Sequence, residues 1–417
     1  MPNTVKSNFL DKYILFILIF SLLFVHRYDI YDVTFIIFSL VFISFCFSSH
    51  KLYFPKKRYS QLIFYLFFLF AYCILIQLLF VKFDFYLLFR VLRVILYLII
   101  LPTIIFKLKP SIELILQLLL ISILIHSIIV FLQVLYPDSM LILFAEYSNI
   151  SLKNILLGKD EDILIRGRGF GLASSFDMAG IVNILGMLSS SYLYKINVKN
   201  KYYYLLCILI FYIAGIFTGR TFIVLGSFIL FWILFKIFFY GNMAINKFYI
   251  TIVVLLSAPF VIQYINLLII PTVKFFLTGQ VDETISITSA GIQGMGYYLG
   301  TFEVIIRQLQ LPQDWTTFLL GGQDLRDSAA DAGIVKITYA IGIFGFLLHF
   351  FLYIKIYYIF KRFSNHIFHT YFIIPLFISL FIFDLKYIVY LSRGLTEIIL
   401  ILLIIVITSK NENWHNS

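Results

Sequence analysis

Apolar residues occur in long runs that recur from one end of the chain to the other, separated by short polar stretches. A run of about 20 apolar residues crosses the hydrocarbon core of a bilayer as an α-helix, and a helix satisfies its own backbone hydrogen bonds there. The pattern predicts twelve spanning helices, near residues 13–26, 30–48, 61–80, 86–106, 111–136, 172–194, 202–217, 222–240, 248–270, 332–358, 367–385 and 395–409.

Composition supports this interpretation. Hydrophobic residues make up 62% of the 417 residues and charged residues only 13%, which leaves too little polar surface to cover a soluble domain of this size. Cys46, Cys73 and Cys207 all lie inside apolar runs, so we expect them to be packing residues. The predicted fold is an all-α polytopic membrane protein, with residues 1–417 forming one transmembrane domain.

The distribution of charge predicts the orientation. Twelve spans place both termini on one side, and only three of the 21 acidic residues, Asp11, Glu113 and Glu412, then fall on that side. The short loops on the same side are basic, which is typical of cytoplasmic loops. We therefore expect both termini in the cytoplasm. The net charge of +11 is explained by these loops, which also attract anionic membrane lipids, and no nucleic-acid partner is required.

Two long loops are predicted on the outer side, at 137–171 and 271–331. Loops of this length are usually functional or disordered. In the second, Tyr298 and Phe302 begin a helically spaced apolar stripe, which predicts a short amphipathic helix on the membrane surface or over a cavity. The cytoplasmic loops are short and contain no nucleotide-binding motif, so any chemistry is expected outside.

Arginines near the outer ends of the spans are candidate anion ligands. Arg166 and Arg168 alternate with glycines immediately before the sixth span, where backbone amides at a helix start can also approach an anion. The alternative is a basic, flexible linker at the membrane interface. Arg220 lies in a very short turn, and Arg90 and Arg93 are three residues apart on one face of the fourth span. For these three the alternative is an interfacial arginine that reaches the lipid headgroups.

Carboxylates before the tenth span are candidate general bases. Asp324, Asp327 and Asp331 lie within eight residues, and helix capping by Ser328 and Asp331 explains only part of this cluster. No histidine lies in either long loop, so a base on the outer side is expected to be a carboxylate.

Other polar residues have simpler interpretations. His126 and His349 lie within spans and are expected to be core residues. Near the end of the chain, the spacings of Asp384 with Lys386 and of Arg393 with Glu397 allow local ion pairs.

The layout resembles the Wzy-type O-antigen polymerases, within the O-antigen polymerase and ligase superfamily. The resemblance covers the span pattern and the two arginine-bearing outer loops. Its local motifs are, in chain order, Arg168-Gly-Phe-Gly-Leu-Ala-Ser-Ser-Phe-Asp177-Met-Ala-Gly180, Phe217-Thr-Gly-Arg220-Thr-Phe222, Leu320-Gly-Gly322, Asp331-Ala-Gly333 and Ile341-Gly-Ile-Phe-Gly345. Gly219 stands where the family usually has serine.

The resemblance implies an architecture similar to GT-C-type glycosyltransferases and an enzyme of the bacterial inner membrane. Such an enzyme transfers an undecaprenyl pyrophosphate-linked glycan to the end sugar of another repeat unit, with inversion and without a metal or other cofactor. A chain-length regulator protein is an implied partner. The alternatives are an O-antigen ligase, which typically has a histidine in the late loop, and a flippase for the same lipid-linked sugars.

In this interpretation three groups of residues have roles. Arginines would bind the pyrophosphate: Arg166, Arg168, Arg220 and Arg307, with Arg90 and Arg93 deeper in the cavity. Asp324, Asp327 or Asp331 would orient or deprotonate the acceptor hydroxyl. Aromatic side chains could stack on sugar faces: Trp315, Tyr297 and Tyr298.

Overall fold

A computed structural model describes residues 9–25, 32–49, 57–80, 85–136, 171–173, 176–197, 199–240, 311–323, 333–386 and 394–410. Nearly all of these residues are helical. The helices are α1 (Phe9–Phe24), α2 (Val33–Ser49), α3 (Lys57–Phe80), α4 (Phe85–Leu108), α5 (Ile112–Leu135), α6 (Phe176–Ile196), α7 (Lys201–Ile216), α8 (Arg220–Tyr240), α9 (Trp315–Leu320), α10 (Gly333–Phe363), α11 (His366–Phe368, a π-helical turn His369–Ile373, and Ile374–Lys386) and α12 (Leu395–Lys410).

The helices are apolar enough for a membrane protein. Five stretches are long and apolar enough to cross a bilayer: Tyr59–Phe80, Leu87–Leu108, Ile112–Leu135, Gly333–Phe363 and His366–Asp384. Shorter apolar helices accompany them in α2, α7, α8 and α12. The prediction of an all-α membrane protein is therefore confirmed. Each predicted span overlaps a helix except 248–270, which lies outside the described residues.

The end of α1 meets the start of α2 and the residue that precedes α12. Contacts across the bundle join these termini: the Thr34 hydroxyl at the start of α2 donates to the Ser21 carbonyl of α1 at 3.0 Å, and Gly394 before α12 lies against the Leu22 carbonyl. We call this the upper end of the bundle. It is the end that the charge distribution predicts to face outward.

Two helices lie at the centre of the bundle. From Leu395 to Ile407 every residue of α12 is buried, as is nearly all of α6. A helix that is apolar on all sides is expected in the interior. Asn183, a buried polar residue of α6, is paired within the protein: the Ser127 hydroxyl of α5 donates to the Asn183 side-chain oxygen at 2.9 Å, and the Asn183 amide donates to the Ala179 carbonyl.

Tyrosines attach α3 to α10 along its length. The Tyr65 hydroxyl donates to the Leu348 carbonyl at 2.7 Å, and the Tyr72 hydroxyl donates to the Ile341 carbonyl at 3.1 Å. Both tyrosines and both carbonyls are seven residues apart, as expected for antiparallel helices with matched faces. The second of these bonds lies at a break in α10 that positions the site described next.

Candidate functional site

The structure describes only some of the predicted site residues. Arg90 and Arg93 lie on α4, Trp315 begins α9, and Arg220 begins α8, where only its backbone is described. The others lie outside the described residues: Arg166, Arg168, Tyr297, Tyr298, Arg307, Asp324, Asp327 and Asp331. The predicted amphipathic helix at 298–309 lies outside them as well. Residues that flank these segments are described, among them Gly171, Gln323 and Gly333.

Gly171 is the last residue of the arginine–glycine cluster, and both its N–H and its carbonyl are hydrogen-bonded to the side-chain amide of Gln133. The Gly171 N–H donates to the Gln133 side-chain oxygen at 2.8 Å, and the Gln133 amide donates to the Gly171 carbonyl at 3.0 Å. Gln133 is fully buried near the end of α5. Gly171 has φ +59, and a Cβ there would lie 2.4 Å from the His126 ring, so this position requires glycine.

His126 fixes the next residue. Its Nδ1 accepts the Leu172 N–H at 3.0 Å, and its ring stacks on Phe24 of α1 at 5.2 Å. Residues 171–173 are buried and non-helical, and α6 begins only at Phe176. The prediction that the sixth span begins at 172 was therefore wrong by four residues. Non-helical backbone at membrane depth requires partners within the protein, and Gln133 and His126 supply them.

The two arginine-bearing motifs converge on α5. A Cβ on Gly180 of α6 would lie 3.3 Å from the Thr218 hydroxyl and 3.2 Å from Phe222, so the sixth span packs directly on the turn that carries Arg220. In the same turn, Phe217 contacts Phe131 of α5, with ring centroids 6.2 Å apart. Arg168 and Arg220 are distant in sequence, but Gly171, three residues after the first, and Phe217, three residues before the second, both contact the C-terminal part of α5.

The fourth-span arginines face α12. The Arg93 Nε lies 2.8 Å from the Glu397 Oε1, and Glu397 is completely buried. The other Glu397 oxygen accepts the Gly394 N–H at 2.6 Å, which caps the start of α12. Arg90, one turn earlier, is 9% exposed. The predicted local partner of Glu397, Arg393, lies outside the described residues. The ion pair that the structure describes joins two helices distant in sequence.

The glycines of the late motifs pack together at the break in α10. Gly342 has φ +68 inside the helix, and the residues before the break therefore lose their helical hydrogen-bond donors. The segment 311–323 replaces them: Gly322 N–H donates to the Ala340 carbonyl at 3.1 Å and Gln323 N–H to the Tyr339 carbonyl at 3.0 Å. Tyr72 takes the third carbonyl, on Ile341. The predicted tenth span is thus two helical pieces joined at Gly342, which its continuous apolar pattern did not indicate.

A polar cavity lies beside this junction. Its volume is about 300 Å³, and it is lined by Leu311, Pro312, Gln313, Asp314, Thr317, Gln323 and Tyr339. Asp314 caps α9 by accepting the Thr317 N–H at 2.9 Å. Its carboxylate also accepts from the Thr316 and Thr317 hydroxyls, and these bonds lower the pKa of Asp314 to about 2. Trp315, next in sequence, is 73% exposed and packs edge-on against Phe318.

A second polar cluster lies within the membrane-spanning part, between α10 and α11. The Tyr353 hydroxyl donates to the Asp384 carboxylate at 2.6 Å, and the His349 Nε2 lies 3.9 Å from the same oxygen. All three line a cavity of about 160 Å³ whose other walls are apolar and largely aromatic. The predicted partner of Asp384 was Lys386, whose side chain lies outside the described residues.

Sequence reasoning missed the roles of Gln133 and His126. His126 is a core residue as expected, but it also holds the backbone that leads to Arg168. The available signal was a pair of polar residues seven apart in one apolar span, His126 and Gln133. Such groups require partners in hydrocarbon.

Comparisons with known proteins identify no family. No protein-family model matches the chain, and no curated protein matches it significantly.

Proposed function

We propose that this protein polymerises lipid-linked oligosaccharide repeat units at the outer face of a bacterial inner membrane. It would span that membrane twelve times with both termini in the cytoplasm, in a GT-C-like arrangement. The observation that supports this proposal is the convergence of the two arginine motifs on α5, through Gly171 on Gln133 and through Phe217 on Phe131. Undecaprenyl pyrophosphate is an anion, and arginine is the side chain best suited to bind it.

The reaction is a displacement at the anomeric carbon of the donor. The acceptor hydroxyl attacks that carbon, the bond to the pyrophosphate oxygen breaks with inversion, and the hydroxyl proton passes to a base. Arg166, Arg168, Arg220 and Arg307 would stabilise the charge on the departing pyrophosphate. Asp324, Asp327 or Asp331 would accept the proton. The described neighbours of this acidic segment are Gln323 and Gly333. Gln323 is hydrogen-bonded to Tyr339 in the first piece of α10, and Gly333 is the first residue of that helix.

Arg93 has a different role in this proposal from that of the other arginines. Its guanidinium group pairs with the buried Glu397 carboxylate, and this ion pair joins α4 to α12. We propose that Arg93 positions the upper end of the bundle, one helical turn from Arg90. On this helix, Arg90 alone would contact the pyrophosphate directly.

The test is a gel of the surface glycan from cells that carry Arg168→Ala or Arg220→Ala. The expected result is loss of long-chain polysaccharide, with single repeat units still attached to the lipid core. The control is Arg362→Ala, an exposed arginine at the other end of α10. The proposal is wrong if long chains persist in both arginine variants while the protein is inserted normally. Absence of single units as well would instead indicate the ligase.

A flippase for lipid-linked sugars is the second candidate, and one observation favours it. The Asp384–His349–Tyr353 cluster is a set of protonatable side chains within the membrane-spanning part, which is common in proton-coupled transporters. A flippase variant such as Asp384→Asn would leave lipid-linked units on the cytoplasmic side. A polymerase variant leaves them accessible from outside, so labelling of intact cells with a sugar-binding lectin separates the two.

A further inference from the structure

The polar cavity lies between α9 and α10, and the segment 311–323, which we call the docked segment, holds its walls in place. Gln323 is attached through its backbone N–H to the Tyr339 carbonyl, and Gly322 through its N–H to the Ala340 carbonyl. Gly321 is so close to α10 that a Cβ on it would lie 2.5 Å from the backbone of residues 340–342. Three of the residues that line the cavity, Gln323, Tyr339 and Thr317, therefore come from two elements with a fixed relative position.

The chemistry of the walls excludes two classes of ligand. None of the described residues that line the cavity is a lysine, arginine or histidine, and the one charged group among them is the carboxylate of Asp314, so this lining does not suit an anion. The lining is mostly polar, so it does not suit a lipid chain. The pyrophosphate and the polyprenyl chain of the proposed donor are both excluded here.

The same walls suit a polyhydroxylated ligand. The amides of Gln313 and Gln323 each donate and accept, and so does the Tyr339 hydroxyl. The Thr317 hydroxyl, which donates its proton to Asp314, and the Asp314 carboxylate can accept. Vicinal sugar hydroxyls require this mixture, because each is both donor and acceptor. A volume of about 300 Å³ is at the small end of ligand pockets, which suits a terminal sugar. The exposed aromatic ring of Trp315 is at the first residue of α9, directly after Asp314.

We infer that this cavity binds the end sugar of the acceptor, through the side chains of Gln313, Asp314, Thr317, Gln323 and Tyr339. This inference rests on the proposed polymerase function and adds to it the location of the acceptor. The position agrees with the chemistry, because Gln323 directly precedes Asp324, the first of the candidate bases.

The experiment measures binding of methyl glycosides to the full-length protein in nanodiscs by saturation-transfer NMR. The probes are methyl glycosides of glucose, galactose, mannose and N-acetylglucosamine. Gln323→Ala and Tyr339→Phe keep both backbone hydrogen bonds of the docked segment and remove only side-chain groups. Each is expected to weaken binding at least tenfold. The matched controls are Gln117→Ala and Tyr136→Phe, which change an exposed glutamine and an exposed tyrosine on α5 and should bind as the unchanged protein does.

Three outcomes would overturn the inference. They are an unchanged protein that binds none of the four glycosides, Gln323 and Tyr339 variants that bind like the controls, and competition by inorganic phosphate, which would indicate an anion site. Failure of the polymerase proposal is distinguishable. If the arginine variants keep long-chain glycan while glycoside binding depends on Gln323 and Tyr339, the cavity is a sugar site in a protein with another activity.

Discussion

Gln133 holds Gly171 through a complete pair of hydrogen bonds, donating to its carbonyl and accepting its N–H across 38 residues of sequence. This contact joins α5 to the chain that leads from Arg168 into α6. The short stretch it anchors is non-helical and buried, so its polar groups depend on the protein for partners. The contact therefore fixes Gly171, the last residue of the arginine–glycine cluster.

Replacing Gln133 by alanine should release Gly171. Two buried backbone groups would lose their partners, at a cost of roughly 1–3 kcal/mol each. We expect a lower unfolding temperature in detergent and loss of long-chain glycan. Gln117→Ala on the same helix is the control, because Gln117 is exposed. A Gln133→Ala variant as stable as Gln117→Ala would contradict the role assigned to the contact.

Replacing one partner of the Arg93–Glu397 pair should lower the stability of the protein more than replacing both partners. Glu397→Met leaves Arg93 without its carboxylate in an interior where a lone charge is costly, and loss of one partner of a buried pair typically costs 3–5 kcal/mol. Arg93→Met removes the cation that faces the buried Glu397 carboxylate and leaves its bond with the Gly394 N–H in place. The double variant should recover part of the stability.

The measurement for this pair is a double-mutant cycle on unfolding temperatures in detergent. A double variant that loses the sum of the two single losses would show that the two side chains act independently.

A side chain at Gly342 should separate α9 from α10. A Cβ there would lie 2.2 Å from the Leu319 carbonyl oxygen, and φ of +68 disfavours any other residue. Gly342→Ala should lower the unfolding temperature and increase hydrogen exchange at Gly322 and Gln323. Gly219→Ala is the matched control, since nothing lies within 4 Å of the added Cβ. Equal exchange in the two variants would rule out the proposed packing.

The Asp314 cap should depend on pH only in strong acid. Hydrogen bonds from Thr316 and Thr317 lower the pKa of Asp314 to about 2, below the usual value of 3.8. A depressed pKa means that the cap stabilises α9 above pH 3.8 and loses this effect as the pH falls toward 2. Relative to an unstructured peptide, hydrogen exchange at Thr317 should stay constant from pH 7 to 4 and rise below 3.

Two substitutions test the Asp314 cap separately from pH. Asp314→Asn keeps a capping oxygen without a titratable group, so it should preserve α9 and abolish the pH dependence. Asp314→Ala should expose Thr317 to exchange at every pH. The same pH response in Asp314→Asn as in the unchanged protein would assign the transition to another group.

Hydropathy by itself determined the fold class and the positions of most helices, because burying apolar runs in a membrane is a local requirement that each run meets alone. It also indicated which short motifs carry glycine and arginine. It could not show that α10 is broken at Gly342, since glycine is tolerated in an apolar helix and the break exists only because Gly322, Gln323 and Tyr72 supply donors.

Pairing between distant segments was decided by the tertiary structure alone. Spacing along the chain allowed a local pair of Glu397 with Arg393, which lies outside the described residues, and gave no sign of the pair of Glu397 with Arg93, 304 residues earlier. In the same way, Gln133 and His126 had no visible role until the fold placed Gly171 and Leu172 against them. Sequence periodicity reports which groups share a helix face. Which distant groups meet is set by helix packing, and buried polar groups then take the partners within reach.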